Sequence, residues 1–391
     1  MLKFLGKAFL IIALIVAVVY GWIYFTINAE VEYIDEVKKV IKEELLNEKE
    51  LANIKVVDEE TKSDSINVLP TLVDTLTTNS AWCGTMQLVW NDMMDVAGGV
   101  PKFFDTNEMI ENLNKRTFDK SDLSEEYYYK KFGVKTLALK SEIEKGIKDK
   151  FNETSDILDN IDWSDDALDP KVAGVDRYLF YAMLKREFEY PHEFTVLENG
   201  KFGETDDVKY FGVNYKTEEL VDEQLNVLYY NNSDDFAIEI ETKDSDKMVL
   251  VRKDAFETNF KDIYNVVKSK ANKYKGDKEF NEVDEFKMPN IEFNVLKNYS
   301  NFAGKKFTAL NFEGQINAAM QTIELKIDEK GGKIKSEAVL DVMFASALLP
   351  EEEPIQPRYF YLDDEFVIFL VEDGKNNPYF AAKIDDITLF Q

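Results

Sequence analysis

The chain has 391 residues, 45% of them apolar, and 75 acidic against 47 basic side chains, for a formal charge of −28. This is a globular composition with room for one large domain or two ordinary ones, and its field repels a duplex or an anionic lipid surface, so no nucleic-acid partner is expected. A single cysteine, Cys83, excludes an internal disulfide framework and a cysteine-rich zinc site, and a single histidine, His192, leaves little scope for histidine catalysis or a multi-histidine metal centre.

Lys3 and Lys7 precede an uncharged run from Ala8 to Phe25, long enough to cross a bilayer core. The lysines favour a cytoplasmic N-terminal end and place the rest outside. Residues 1–28 therefore read as an uncleaved transmembrane anchor. A cleaved signal peptide is the competing reading, against which the apolar run is long and no clean A-x-A site comes before Ala29. The expected location is the cell membrane, single-pass, with the domain on the extracytoplasmic side. Residues 29–65 follow as a juxtamembrane stalk helix and linker. Ile34, Val37, Ile41 and Leu45 form a narrow apolar stripe in the charged stretch Glu30–Lys49, and Val56–Asn67 is polar. Residues 66–391 are the folded domain.

In SAWCGTMQLVWNDMMDV (Ser80–Val96), Trp82, Met86, Val89, Trp90 and Met93 recur at helical spacing, which predicts a core helix ended by Gly98, Gly99 and Pro101. Asn107–Leu113 is a second helical stretch, SDLSEEYYY (Ser121–Tyr129) reads as a loop entering another helix, and Leu139, Ile143, Ile147 and Phe151 mark one face of a further one. The character changes after Pro170. RYLFYAMLKREFEY (Arg177–Tyr190) is a central strand or a buried helix on periodicity alone. VKYFGV (Val208–Val213), FAIEIET (Phe236–Thr242) and KMVLVRK (Lys247–Lys253) read as strands, the last two as a hairpin. Thr258–Ala271 is helical, with Phe260, Ile263, Val266 and Val267 on one side. FKMPNIEFNV (Phe286–Val295) reads as one strand, with Pro289 marking an edge or a bulge. IELKIDEKGG (Ile323–Gly332) alternates and stops at two glycines. Near the C-terminus, Phe366–Val371 and Tyr379–Ile384 flank the hairpin loop DGKNNP. Helices first and strands later, without βα alternation, predict an α+β fold with antiparallel sheets.

No P-loop, G-x-G-x-x-G, G-x-S-x-G or H-E-x-x-H motif occurs. The acidic runs Glu351–Glu353 and Asp363–Glu365 read as solvated faces. A Cys83–His192 dyad stands against the simpler reading of a buried thiol and a surface imidazole. The residues point to no enzyme, no cofactor and no metal.

The segment from the helix near Phe151 to the C-terminus resembles the serpin family in the order of its pieces. ETSDILDN (Glu153–Asn160), LDP (Leu168–Pro170) and LFYAMLKREFEYPHEF (Leu179–Phe194) follow the order of the serpin helix and the third strand of the large sheet, LVNAIYFKGKWEKPF. AIEIET and MVLVRKD resemble the LELPY and MLIILP strands. Phe286–Phe307 is similar to LPKFKIESSYDL and the helix after it, and ALNFEGQ (Ala309–Gln315) falls where serpins carry ADLSGI. KIDEKGG matches the hinge VDEKGT, and FVIFLVEDGKNNPYFAAKI (Phe366–Ile384) is similar to PFLFFIRDNKTGTILFMGKV. The departures are Tyr181-Ala182 at the family's Asn-Ala, Phe188 at its tryptophan and Met320 at the histidine before the hinge strand.

The resemblance implies a serpin-like α+β fold: a helical N-terminal part, large mainly antiparallel sheets and an exposed reactive-type loop. Leu179–Glu187 is then a central strand, with Thr322–Asp328 in the same sheet and the last two strands paired in a second, buried one. The implied hinge comprises Glu329, Gly331, Gly332, Ile334, Ser336 and Ala338. Counting from Glu329 by the family's spacing places the scissile bond at Ala345-Ser346, which suggests an elastase-like or subtilisin-like serine protease as partner. The residues themselves add one observation. From Gly332, the alternating set Gly332, Ile334, Ser336, Ala338, Leu340, Val342 and Phe344 is uncharged, whereas the complementary set Lys333, Lys335, Glu337, Val339, Asp341 and Met343 holds every charge. That sorting suits a strand with one buried face. Three functional classes follow: a protease inhibitor that acts by cleavage and insertion of the loop, a non-inhibitory cell-surface binding or structural module with a degenerate serpin-like fold, and an extracytoplasmic enzyme, against which the lack of acid–base groups weighs.

Overall fold

In the computed structural model, residues 55–57, 65–163, 178–214, 221–243, 246–310, 312–332 and 356–391 are described. The anchor, the stalk helix, Leu168–Pro170 and the loop residues Ile334, Ser336, Ala338, Ala345 and Ser346 lie outside them. No helix among the described residues is long and apolar enough to cross a membrane.

The core is organised by a seven-stranded sheet, in spatial order β12 (Leu225–Asn232), β13 (Asp235–Glu241), β14 (Asp246–Arg252), β22 (Phe366–Glu372), β23 (Phe380–Ile384), β3 (Ser80–Cys83) and β2 (Asn67–Leu69). Its ladders are antiparallel except β2–β3. The continuous apolar run of β22 is explained by burial along its whole length. Helix α5 (Phe260–Lys273), capped by the Asn259 side chain, buries Phe260, Ile263, Tyr264 and Val267, and sets the rings of Phe260 and Tyr264 against Phe369. The hairpins expected at β13–β14 and β22–β23 are present.

A four-stranded sheet runs β21 (Tyr359–Tyr361), β15 (Glu285–Pro289), β11 (Tyr210–Val213), β8 (Thr195–Val196). A three-stranded one runs β1 (Lys55–Val57), β16 (Ile291–Asn298), β19 (Met320–Ile327), and β5 (Tyr128–Val134) pairs with β6 (Tyr178–Leu184). Three small pieces complete the strands: β20 (Gly331–Gly332) on β7 (Phe188–Glu189), the hairpin β9 (Gly200–Phe202) and β10 (Thr205–Val208), and β18 (Phe312–Gln315), β17 (Lys306–Ala309), β4 (Lys102–Phe103). Four helices precede α5 among the described residues: α1 (Thr85–Val96), α2 (Glu108–Leu113), α3 (Leu137–Phe151) and α4 (Asp156–Asp159). α3 is capped by Thr136 and lays Leu139, Ile143 and Ile147 on Tyr181 of β6. α1 is tied to β5 by the Lys130–Asp92 ion pair (2.6 Å).

Several expectations are corrected. Ser80–Val96 is not one helix: Ser80–Cys83 is a strand and the helix starts at Thr85, so Trp82 is buried on β3. The break is Gly84, where a Cβ would stand 2.3 Å from the Phe118 ring. Ser121–Tyr129 leads through a 3₁₀ turn, Glu125–Tyr127, into a strand rather than a helix. Phe286–Val295 is two strands in different sheets. Pro289 ends β15, and the chain crosses at Asn290 into β16. Lys55–Val57, within the stretch read as stalk and linker, pairs parallel with β16. Within Arg177–Tyr190 the described residues form strands, β6 (Tyr178–Leu184) and then β7 (Phe188–Glu189), and no helix. It is not central in a continuous large sheet, because among the described residues β6 is laddered to β5 and β19 to β16, with no ladder between β6 and β19.

Candidate functional site: the hinge at the end of β19

β19 ends in a two-residue turn. The Asp328 N–H donates to the Gly331 carbonyl (3.0 Å), the Gly331 N–H donates back to the Asp328 carbonyl (3.3 Å), and the Asp328 carboxylate accepts the Lys330 N–H (3.0 Å). Glu329 and Lys330 form the loop, and the chain doubles back antiparallel to β19. Gly331 then stands opposite Glu189 and Gly332 opposite Phe188. The Tyr190 N–H donates to the Lys330 carbonyl (3.1 Å) and the Phe194 N–H to the Glu329 carbonyl (2.8 Å). The hinge thus bridges β19 on one side and β7, the continuation of β6, on the other.

Glycine is required at this crossing. Gly331 has φ +133°, and a Cβ on it would meet the Phe188 carbonyl oxygen at 2.3 Å. A Cβ on Gly332 would touch the Phe188 ring (2.9 Å) and the Lys326 carbonyl (3.1 Å). Both glycines are buried. Of the implied hinge residues, Glu329, Gly331 and Gly332 are brought together here.

Beneath the hinge lies an aromatic floor. The Tyr190 ring meets Phe188 and Phe194 edge-on at centroid separations of 6.1 and 4.8 Å, and Phe194 reaches Phe211 (5.6 Å) and Phe286 (5.4 Å). Burial, with the Asp328 charge nearby, pushes the Tyr190 phenol well up, so it stays neutral. Next to this floor the Arg186 guanidinium is paired with the Asp246 carboxylate, both buried, and lies 3.3 Å over the Tyr127 ring. The Tyr379 hydroxyl also donates to Asp246 (3.3 Å). Desolvation raises the Asp246 carboxyl to about 6, against the opposing pull of Arg186. A third feature lies lower on β19. Met320 is half-buried, whereas Gln321 is buried, donating to the Cys83 carbonyl (3.0 Å) and Thr85 Oγ1 (3.0 Å) and accepting from the Tyr299 hydroxyl (2.8 Å).

The far side of the loop is clamped. Arg358 grips the fully buried Asp284 with its backbone N–H (2.9 Å) and with Nη2 (2.6 Å), and donates Nη1 to the Asp277 carbonyl (2.7 Å). This holds the start of β21 beside β15.

Sequence reasoning did not find Arg186, Asp246, Gln321 or the Arg358–Asp284 clamp. The i, i+2 pairing of Phe188 and Tyr190 was a usable signal for the floor; the ion-pair partners are too distant in sequence to leave one. Cys83 is buried, and burial raises its thiol, so it is not an activated nucleophile. His192 is held by its backbone, which exchanges hydrogen bonds with the Gln224 side chain (2.9 Å each). Among the described residues no group of His, Cys, Asp or Glu is arranged to hold a metal ion.

No family model and no curated protein matches the chain. Solved structures similar to it include Serpin48, a highly specific serpin of the insect Tenebrio molitor, at 10% identity over 79% of this chain and 92% of that one, with a TM-score of 0.43. Human thyroxine-binding globulin complexed with thyroxine matches at 12% identity over 78% and 91%, TM-score 0.41. Human glycosylated kallistatin matches at 10% over 79% and 91%, TM-score 0.43.

Proposed function

We propose that the chain is a membrane-anchored, extracytoplasmic serpin-like protein that inhibits a serine protease by cleavage of the loop after Gly332 and insertion of its N-terminal side. The observation that carries this reading is the hinge. With β20 bonded to β7 and turned back along β19, the first two residues of an inserted strand already stand between the two flanks.

Continuing the two registers gives each following residue two neighbours in the cleaved state. Ile334 comes opposite Leu325 and Arg186, Ser336 opposite Ile323 and Leu184, and Ala338 opposite Gln321 and Ala182. Opposed residues of an antiparallel pair share a face. Gln321, Ile323 and Ile327 are the buried face of β19, and Leu325 packs on the same core. Leu184 also packs on that core, while Tyr181 and Met183 turn the other way onto α3. In the proposed inserted strand the uncharged set would then take the core side and the charged set the other face, with Lys335 opposite Glu324, which supports the reading.

A non-inhibitory cell-surface module is the second reading, favoured by the bulk at the entry, where Ile334 would have to seat against the buried Arg186 side chain. Nicking the loop of the full-length protein and following thermal unfolding separates the two. Insertion raises the midpoint of the cut form; an unchanged or lower midpoint leaves the module.

A further inference from the structure

We propose that the buried Arg186–Asp246 pair is a proton-operated lock on the entry of the inserted strand, shut while Asp246 is ionised and released when it takes up a proton, a role that rests on the insertion reading above. The two side chains are 3% and 0% exposed. They differ in freedom. The Asp246 backbone is fixed to Thr242, whose N–H (3.1 Å) and hydroxyl (3.0 Å) donate to its carbonyl and whose hydroxyl oxygen accepts its N–H (3.0 Å). Arg186 stands on the joint between β6 and β7, outside the ladders that hold those strands, with its guanidinium over the Tyr127 ring. The guanidinium is therefore the part that moves. Continuing the hinge registers brings Ile334 opposite Arg186, so the entering strand displaces that side chain and leaves the Asp246 carboxyl behind in the interior.

The charges around Asp246 make that step depend on a proton. Its neighbours are Arg186, Tyr127 from the 3₁₀ turn before β5, Glu372 from β22 and Tyr379 from the approach to β23, with Glu126 beside Tyr127 and Cys83 of β3 beside Tyr379. Lys243 is engaged by Glu189 (2.8 Å) and Lys247 by Glu239 (3.3 Å). Burial raises the phenols of Tyr127 and Tyr379 and the Cys83 thiol, so all three stay neutral. One guanidinium thus faces two buried carboxylates, Asp246 and Glu372, which stand opposite each other in the β14–β22 ladder. The Ser124 N–H (2.8 Å) and hydroxyl donate to Glu372, which favours its ionised form, whereas Asp246 Oδ1 has no hydrogen-bond partner among the described residues. The proton consequently goes to Asp246, whose carboxyl is raised to about 6 with Arg186 still beside it. Withdrawing the guanidinium removes the charge that holds this value down, so the withdrawn state binds the proton more tightly than the paired one. The state that binds more protons gains as pH falls, and entry is favoured by up to about tenfold per pH unit from that higher value down to about 6.

The test uses the full-length chain, nicked in the loop with subtilisin at about pH 8, freed of active protease, and then held at about pH 5.5 or about pH 8. Samples returned to the higher pH at intervals are scored for insertion by their thermal midpoint. Wild type is expected to insert at least about fivefold faster at the lower pH. Arg186→Leu/Asp246→Leu, an apolar replacement of the pair that costs little stability, inserts at one rate at both. Equal rates in wild type, or the same acceleration in the double variant, overturn the lock. If nicking raises the midpoint at neither pH, insertion itself fails, and amide exchange of the intact chain at Tyr190 and Phe194, corrected for intrinsic rate, decides on the lock alone. Acid-enhanced exchange in wild type that the double variant lacks supports it; exchange that responds alike in both chains overturns it.

Discussion

Ile334→Arg tests the inserted register at its most demanding position. In the inserted strand proposed above, continuing the Asp328–Gly331 and Gly332–Phe188 registers would bring this side chain between Leu325 and Arg186, on the face that carries Ile327 and Phe188. Removing the isoleucine forfeits about 2 kcal/mol of burial. A guanidinium in its place brings a second cation beside one whose carboxylate is already engaged, and an uncompensated buried charge costs about 3–5 kcal/mol. The cut variant should therefore lose about 5 kcal/mol relative to the cut wild type, while the uncut proteins differ little. For a unit of this size that is roughly 7 °C in midpoint. Differential scanning calorimetry of intact and nicked protein reads the difference directly. Lys335→Ala, on the opposite face, should leave the gain on nicking intact. An equal gain in wild type and Ile334→Arg would falsify insertion from this face.

Three further outcomes follow from the hinge and its surroundings. Gly331→Ala places a Cβ 2.3 Å from the Phe188 carbonyl at φ +133°; a cost of about 1–3 kcal/mol should speed amide exchange at Tyr190 and Phe194 by roughly 5- to 160-fold, and unchanged protection would show that β20 does not hold them. Asp246 has its folded-state carboxyl raised to about 6 above an ordinary value of 3.8, so the folded state binds the extra proton and stability from this group falls as pH rises from about 4 to 6. Urea unfolding across that window should show this decline in wild type relative to Asp246→Asn, and parallel curves would contradict it. Arg358→Ala leaves Asp284 buried and uncompensated, costing about 3–5 kcal/mol, and should open a new protease cut near β21 by mass spectrometry; resistance there would mean that β21 is held by its ladder alone.

What the sequence revealed depended on how local the cause was. The β22–β23 hairpin and the stripe of α5 are local patterns; the hairpin is present where its residues indicate, and Phe260, Ile263 and Val267 are buried as expected, with Tyr264 rather than Val266 completing the buried face. Gly331 and Gly332 announced a special backbone position, and each proves to sit where a Cβ would collide. Trp82 misled because strand β3 runs directly into α1, so a residue at helical spacing from Met86 belongs to the preceding strand. Pro289 marked a real interruption, but which sheet receives the chain after it is a tertiary matter. Arg186 and Asp246 stand 60 positions apart and meet only through the packing of β7's approach against β14. Neither position carries a motif, so a pair that occupies the entry of the proposed strand was invisible.

Mixing the full-length protein with an elastase-like and with a subtilisin-like serine protease, and resolving the products on a denaturing gel, decides between trapping and simple cleavage. Inhibition by loop insertion gives a detergent-stable band containing both chains, with a released fragment that begins at Ser346 if Ala345-Ser346 is the bond. Complete conversion to cut protein, with the protease recovered free and fully active, contradicts it.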